Sequence, residues 1–295
     1  MVGAGGYRRI EVRPLAGAGG AEIGGVDLAR PLDDEVLAEL RRAFAEHLAI
    51  GFRDQRLDPA QLSAFARRWG SLSRHPFVKT LPDHPDVARV VREAGDETAN
   101  FGGLWHADTT MLAQPPVATL LYALDIPPFG GDTLFANLFL AYEGLSPGMR
   151  RLADGLGVMH SAARNYDPFR GPLDPAKVQP VPTAELLRIL DEIRRETRHP
   201  LVRVDPASGR RALWMVGDYC LRFEDMREAE SRPLLDFLLQ HVTSPHFGFR
   251  WSWTPGAVLL WDNRFTIHFA VNDYRDHRRE MLRVQIGAET PVGPD

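Results

Sequence analysis

Cysteine is almost absent from this chain. Its 295 residues include one, Cys220, and a single thiol excludes an internal disulfide and any cysteine-based zinc or iron–sulfur cage. Long apolar runs are absent too. None approaches the roughly 20 residues that cross a bilayer, so no membrane partner is expected. The segment Met1 to Gly6 lacks the apolar stretch of a secretory signal, and the expected location is cytoplasmic. A basic excess is also missing: 35 Lys and Arg stand against 39 Asp and Glu, a net charge of −4. Binding driven by phosphate contacts usually needs such an excess, so nucleic acid is not an expected partner. What remains is an ordinary globular composition, 44% hydrophobic and 25% charged, long enough for one large core. Ten histidines are left as the source of nitrogen ligands.

Polar and apolar residues alternate from Tyr7 to Leu15, which predicts a strand. Val36, Leu37, Leu40 and Phe44 recur at helical spacing after Asp33, predicting a helix over Asp33 to His47. Ala49 to Arg53 reads as a buried strand. Asp58-Pro59 supplies an N-cap and a first-turn proline for a helix that ends at Gly70. Val87 to Arg92 and Val117 to Ala123 are strand-like. Leu140 to Ala153 reads as two short helices split at Ser146-Pro147. Residues 165–182 are proline-rich and predict a long active-site loop or lid. Ala184 to Arg198 and Asp225 to His241 read as helices. Phe247 to Trp253, Ala257 to Trp261 and Glu280 to Ile286 read as strands. Without repeats or linkers, the expectation is a single domain over residues 1–295, mixed α/β, with helices outside a β-rich core.

The chemistry concentrates in a few short segments. In Trp105-His106-Ala107-Asp108, a strand would project His106 and Asp108 to one side, an imidazole and a carboxylate able to grip one metal ion. The pair is common by chance, and alone it reads as a hydrogen-bonded surface pair. A third candidate, His268, follows Trp261-Asp262-Asn263-Arg264. Two histidines and a carboxylate make the facial triad of non-heme iron(II) oxygenases, which leaves coordination positions open. The His-Glu-x-x-His motif of zinc hydrolases is absent. Arg278, Arg279 and Arg283 are candidate anion clamps. Arg278 reads as a solvated charge, whereas Arg279 and Arg283 would share one strand face. Gly130-Gly131-Asp132-Thr133 adds a hydroxyl in a turn that permits close backbone approach.

On these residues the chain resembles the TauD/TfdA (taurine dioxygenase-like) family of iron(II)- and 2-oxoglutarate-dependent dioxygenases. The resemblance runs from the Gly-Ala-Glu-Ile-Gly-Gly-Val-Asp-Leu segment ending at Leu28 to Arg283. The intervals of 27 residues from His106 to Thr133 and 11 from His268 to Arg279 match the family pattern. It implies a double-stranded β-helix, or jelly roll, flanked by helices. It implies that His106, Asp108 and His268 bind Fe(II) as the catalytic centre and that Thr133 and Arg279 hold 2-oxoglutarate, with O2 as the other co-substrate. Related halogenases carry a small residue where Asp108 stands, so hydroxylation is expected.

The resemblance also implies a substrate site. His75, in His75-Pro76, and Arg283 match residues that hold the sulfonate in taurine enzymes, which predicts a small anionic substrate: a sulfonate, an alkyl sulfate or an aryloxy or other carboxylic acid. A tyrosine of those enzymes is Val78 here, Asn100 sits two residues too far upstream to replace their asparagine, and Tyr219 takes the aromatic position. Val78 and Val216 favour a larger or more apolar substrate than taurine. A tailoring hydroxylase of a secondary metabolite, a zinc or manganese hydrolase and a jelly-roll binding protein are the alternatives. The family implies a homo-oligomer, a dimer or tetramer.

Overall fold

The computed structural model describes residues 6–76, 78–96, 101–166, 183–214 and 217–294. Local chemistry starts the two N-terminal helices. The Asp33 carboxylate accepts a hydrogen bond from the Val36 N–H and caps helix Asp34–His47. Asp58 and Gln61 satisfy each other's backbone N–H in a capping box at the head of helix Pro59–Arg67. The apolar stripes Leu40, Ala43, Phe44 and Leu62, Phe65 face one cluster with Ile50, Phe52, Leu120 and Val284. Both helices therefore cover the outer face of one large sheet.

That sheet has nine strands. Its path runs Glu11–Ala16, Gly19–Gly24, Ala49–Phe52, Val258–Asp262, Ala118–Asp125, Arg279–Ile286, His84–Arg92 and Thr80–Leu81, with Leu72–Ser73 pairing onto Arg279–Ile286. A second sheet of three strands, Gly248–Trp251, Thr133–Asn137 and Thr266–Ala270, lies across it. Phe135, Phe249 and Trp251 from the small sheet pack on Ala49, Leu259, Trp261 and Met281 from the large one. This is the double-stranded β-helix, and helices Leu138–Glu143 and Glu228–Val242 contribute to the core behind the small sheet. No helix among the described residues is long and apolar enough to cross a membrane.

Three local expectations change. The strand expected from Tyr7 begins only at Glu11, because the N–H groups of Arg8, Arg9 and Ile10 are taken by the Glu39 carboxylate. The helix expected over Ala184 to Arg198 runs from Thr183 to Arg194. Thr197–Pro200 instead pairs antiparallel with Gly157–His160, a tertiary ladder that overrides the local pattern. Of the expected lid, Asn165 and Tyr166 end a helical turn, Ala163–Tyr166, and the rest lies outside the described residues, as do Asn100 and Val216.

The two sheets approach closely where Trp251 crosses Gly51. A Cβ at Gly51 would stand 2.1 Å from the indole, and the Arg53 guanidinium covers the same ring at 3.8 Å. Gly51→Ala must displace Trp251. We expect a loss of about 1–3 kcal/mol, read as a lower denaturation midpoint at unchanged slope. A midpoint equal to wild type would show that the sheets have slack at this point.

Candidate metal centre and active site

His268 lies in strand Thr266–Ala270. His106 meets it in an isolated antiparallel bridge, in which each residue's N–H donates to the other's carbonyl, at 3.0 and 2.8 Å. The segment carrying His106 and Asp108 is not the strand that was expected. Beyond this one bridge the chain turns, and Thr109 takes a left-handed φ of 45°. Asp108 converges on the histidines because the turn returns it to them, not because strand alternation does. Ligand nitrogens of His106 and His268 and a carboxylate oxygen of Asp108 lie within 4.8 Å of one another.

The ligand atoms point inward. Asp108 Oδ1 is 3.7 Å from His106 Nε2 and 3.8 Å from His268 Nε2. His106 Nδ1 lies 2.7 Å from the Leu104 carbonyl. A carbonyl only accepts, so Nδ1 carries the proton and the Nε2 lone pair is left facing Asp108. Burial alone would raise the Asp108 carboxyl. Arg283, His268, His106 and the Thr119 hydroxyl outweigh it, and the group is held well below the usual carboxylate range. Burial pushes His268 well below its ordinary value, which keeps its ring neutral and able to ligate.

Two arginines from strand Arg279–Ile286 enter the same pocket. They share a face, as their spacing predicts, and both are buried. Arg279 reaches past Gly131, whose carbonyl accepts from Arg279 Nη2 at 3.3 Å. Gly131 has a φ of 69°, and a Cβ there would crowd Tyr274 and Arg279 Nε. Thr133, at the start of the neighbouring sheet's central strand, also lines the pocket and accepts from Trp253 Nε1 at 2.9 Å. Arg283 Nη2 stands 2.7 Å from Asp108 Oδ1. Arg278 is tied outside to Glu93, Asp125 and Glu280, the solvated role expected of it.

The pocket has unmet polar atoms. His268 Nδ1, Arg279 Nε and Arg283 Nη1 are buried without a hydrogen-bond partner, and buried donors left unmet are rare. A nitrogen, nitrogen, oxygen donor set with two cationic side chains beside it suits iron(II) and anionic ligands. Val90, Phe101, Leu121 and Ala270 complete an apolar wall.

The expected substrate residues divide. His75 is buried, 6.3 Å ring to ring from Phe101. Burial and Arg283 push it down to about 3, which keeps its ring neutral, and it packs behind Phe101 without being among the residues that line the pocket. Val78 is half-buried and does not line the pocket among the described residues. Tyr219 lies edge-on to His106 at 6.5 Å and packs with Met111, Ala162 and Ile193, so it backs a ligand instead of lining the pocket. Sequence reasoning assigned nothing to Phe101, Thr119 or Asn263. Asn263 stood in the Trp261-Asp262-Asn263-Arg264 motif without a role; Thr119, in an apolar strand, gave no signal.

The family described as "Taurine catabolism dioxygenase TauD, TfdA family" matches residues 11–285. An alpha-ketoglutarate-dependent sulfate ester dioxygenase of Pseudomonas putida is 36% identical over 97% of this chain and 92% of its own length. An alkylsulfatase of Acinetobacter baylyi is 33% identical over 97% and 87%. The crystal structure of a taurine dioxygenase from Burkholderia xenovorans superposes with a TM-score of 0.80 at 34% identity, over 98% of this chain and 94% of that one.

Behind the pocket, two further histidines clamp the turn that carries Asp108. His199 Nε2 donates to the carbonyls of Thr110 and Leu112 at 2.9 and 3.0 Å, and His160 Nδ1 lies 3.0 Å from Thr110 Oγ1. Burial holds both below the ordinary histidine value of 6.5, His160 well below it. The unfolded chain therefore binds more protons just below that value, and stability must fall as pH drops through it. The melting temperature should decline between pH 7.5 and 5.5. His160→Asn should give a shallower decline, though not a flat one, because His75 and His268 are also held low. A slope identical to wild type would remove His160 from the account.

Proposed function

The chain belongs to the TauD/TfdA family of iron(II)- and 2-oxoglutarate-dependent dioxygenases, and on that premise we propose that it hydroxylates an organic sulfate ester or sulfonate bearing an apolar chain. The metal hydrolase and the binding protein drop out with that membership. One observation carries the reading: a single pocket holds three converging ligand atoms and two buried arginines with unpartnered nitrogens. Two arginines provide for two anions, one from the co-substrate and one from the substrate.

In this reading His106, Asp108 and His268 hold the iron. Thr133 and Arg279 hold the far carboxylate of 2-oxoglutarate, with the Trp253 and Tyr274 rings, each 5.9 Å from the guanidinium carbon, fixing its plane. Arg283 and neutral His75 take the sulfate or sulfonate. Val90, Leu121, Ala270 and Phe101 receive the carbon chain, and Val78 keeps a polar group out of its neighbourhood. Tyr219 steadies His106 from behind. The apolar wall excludes water, which strengthens every charge contact inside. When bound, iron(II), 2-oxoglutarate and O2 supply the oxidising power to hydroxylate an unactivated carbon, with succinate and CO2 as coproducts. A hydroxyl placed on the carbon bearing the sulfate oxygen collapses to an aldehyde and sulfate; beside a sulfonate it yields sulfite. Two relatives with sulfate ester or alkylsulfatase names support this choice of substrate. We further place the protein in the cytoplasm as a single-domain homo-oligomer, a dimer or tetramer.

Succinate release with iron(II), ascorbate and 2-oxoglutarate tests the reading. Medium-chain alkyl sulfates should stimulate it above taurine and above aryloxy acids. Asp108→Ala should release none. Arg279→Leu should raise KM for 2-oxoglutarate roughly 10- to 100-fold, the cost of a lost charge-assisted hydrogen bond, with little change in KM for the sulfate. If no anion in the panel stimulates turnover, the sulfate and sulfonate assignment fails and a larger metabolite becomes the substrate to seek.

A further inference from the structure

We propose that Thr119 and Asn263 are positioning residues that hold Asp108 as a ligand through one oxygen only. Asp108 Oδ1 faces both histidine Nε2 atoms, while Oδ2 receives the Thr119 hydroxyl at 2.5 Å. Thr119 Oγ1 accepts from Asn263 Nδ2 at 2.9 Å, and Asn263 Oδ1 accepts from Trp261 Nε1 at 3.0 Å and from the Asp108 N–H at 3.4 Å. All four side chains are buried, Thr119 completely.

The polarity of this chain is forced. An indole N–H can only donate, so the Asn263 amide must turn its oxygen to Trp261 and its NH2 to Thr119. The Thr119 oxygen is then occupied as an acceptor, and its proton has one remaining partner, Asp108 Oδ2. The amide cannot flip without opposing two donors, and the backbone of Asn263 is pinned by its own N–H on the Val117 carbonyl and its carbonyl on Trp214 Nε1. The relay therefore starts from a rigid frame and ends on the oxygen that does not face the histidines. The 2.5 Å bond from Thr119 fixes the rotation of the carboxylate, so that Oδ1, which also meets Arg283 Nη2 at 2.7 Å, is the oxygen presented to both histidines. A metal held by His106, His268 and one oxygen of Asp108 would keep coordination positions open for a 2-oxo acid and O2. The relay is polarised end to end, and in a buried setting such chains strengthen their members.

This inference rests on the metal reading above, and the experiment separates the two. Apo proteins are first compared by thermal melting. Mn(II) affinity is then measured by the electron paramagnetic resonance signal of free Mn(II), and the Co(II) form's visible spectrum is recorded anaerobically. Thr119→Val keeps the side-chain shape and deletes the hydroxyl. It should weaken Mn(II) binding roughly 10- to 100-fold and alter the Co(II) bands, in an apo protein that melts lower than wild type but in one cooperative transition. Thr119→Ser should restore both. Trp261→Phe removes the donor that orients Asn263 and should move affinity and spectrum the same way by a smaller factor; it carries the test if Thr119→Val does not fold. Wild-type affinity and an unchanged Co(II) spectrum in a folded Thr119→Val protein would overturn the proposal. Wild-type protein that takes up no Mn(II) would overturn the metal reading itself, and the proposal with it.

Discussion

An ionised carboxylate is buried at the centre of this molecule, and the surrounding structure is organised around keeping it there. Asp108 is 4% exposed, and an isolated charge so far from water would be prohibitively unstable. It persists because an arginine, a hydroxyl and two histidines converge on it from four separate segments. Removing one partner from such an arrangement leaves the charge exposed to an apolar interior, which costs more than the partner's own attraction would indicate. The same carboxylate suits the site to a divalent cation, since a metal would meet one anionic oxygen and two imidazole nitrogens there.

The jelly roll makes that convergence geometrically cheap. The small sheet contributes His268 and Thr133, the large sheet Arg279 and Arg283, and a connecting turn Asp108. The two arginines of the pocket are four residues apart on one strand, so their separation is set by the pleat, not by loop conformation. Their surroundings differ. Arg279 is enclosed by aromatic rings and glycine backbone, while Arg283 lies against the metal carboxylate and beneath Phe101, whose ring centroid is 5.7 Å from its guanidinium carbon. One environment holds its guanidinium on every side; the other adjoins the apolar wall of the pocket.

Much of this was legible in the chain. Helix starts at Asp33 and Asp58 rest on caps that act over three residues, and the intervals between His106, Asp108, Thr133, His268 and Arg279 carried the resemblance to the family whose model matches. Other features depend on contacts between distant segments. The turn at Thr109 escaped because a His-x-Asp pattern fits a strand equally well. Thr197 to Pro200 escaped because its ladder partner lies far upstream. Thr119 escaped because a threonine in an apolar strand looks like a β-former, and only the folded structure places Asp108 beside its hydroxyl. Tyr219 was assigned to the substrate by position, yet its neighbours place it behind a ligand.

The backbone bridge between His106 and His268 has a consequence for how the protein is made. Its two residues are separated by more than half of the chain, and the strand holding one of them emerges late in synthesis. A nascent chain that has produced His106 and Asp108 has neither their frame nor their third partner. Pairing at so long a sequence separation is entropically slow and comes late. The three ligand atoms therefore converge only once the strand carrying His268 has been made and has met the segment carrying His106.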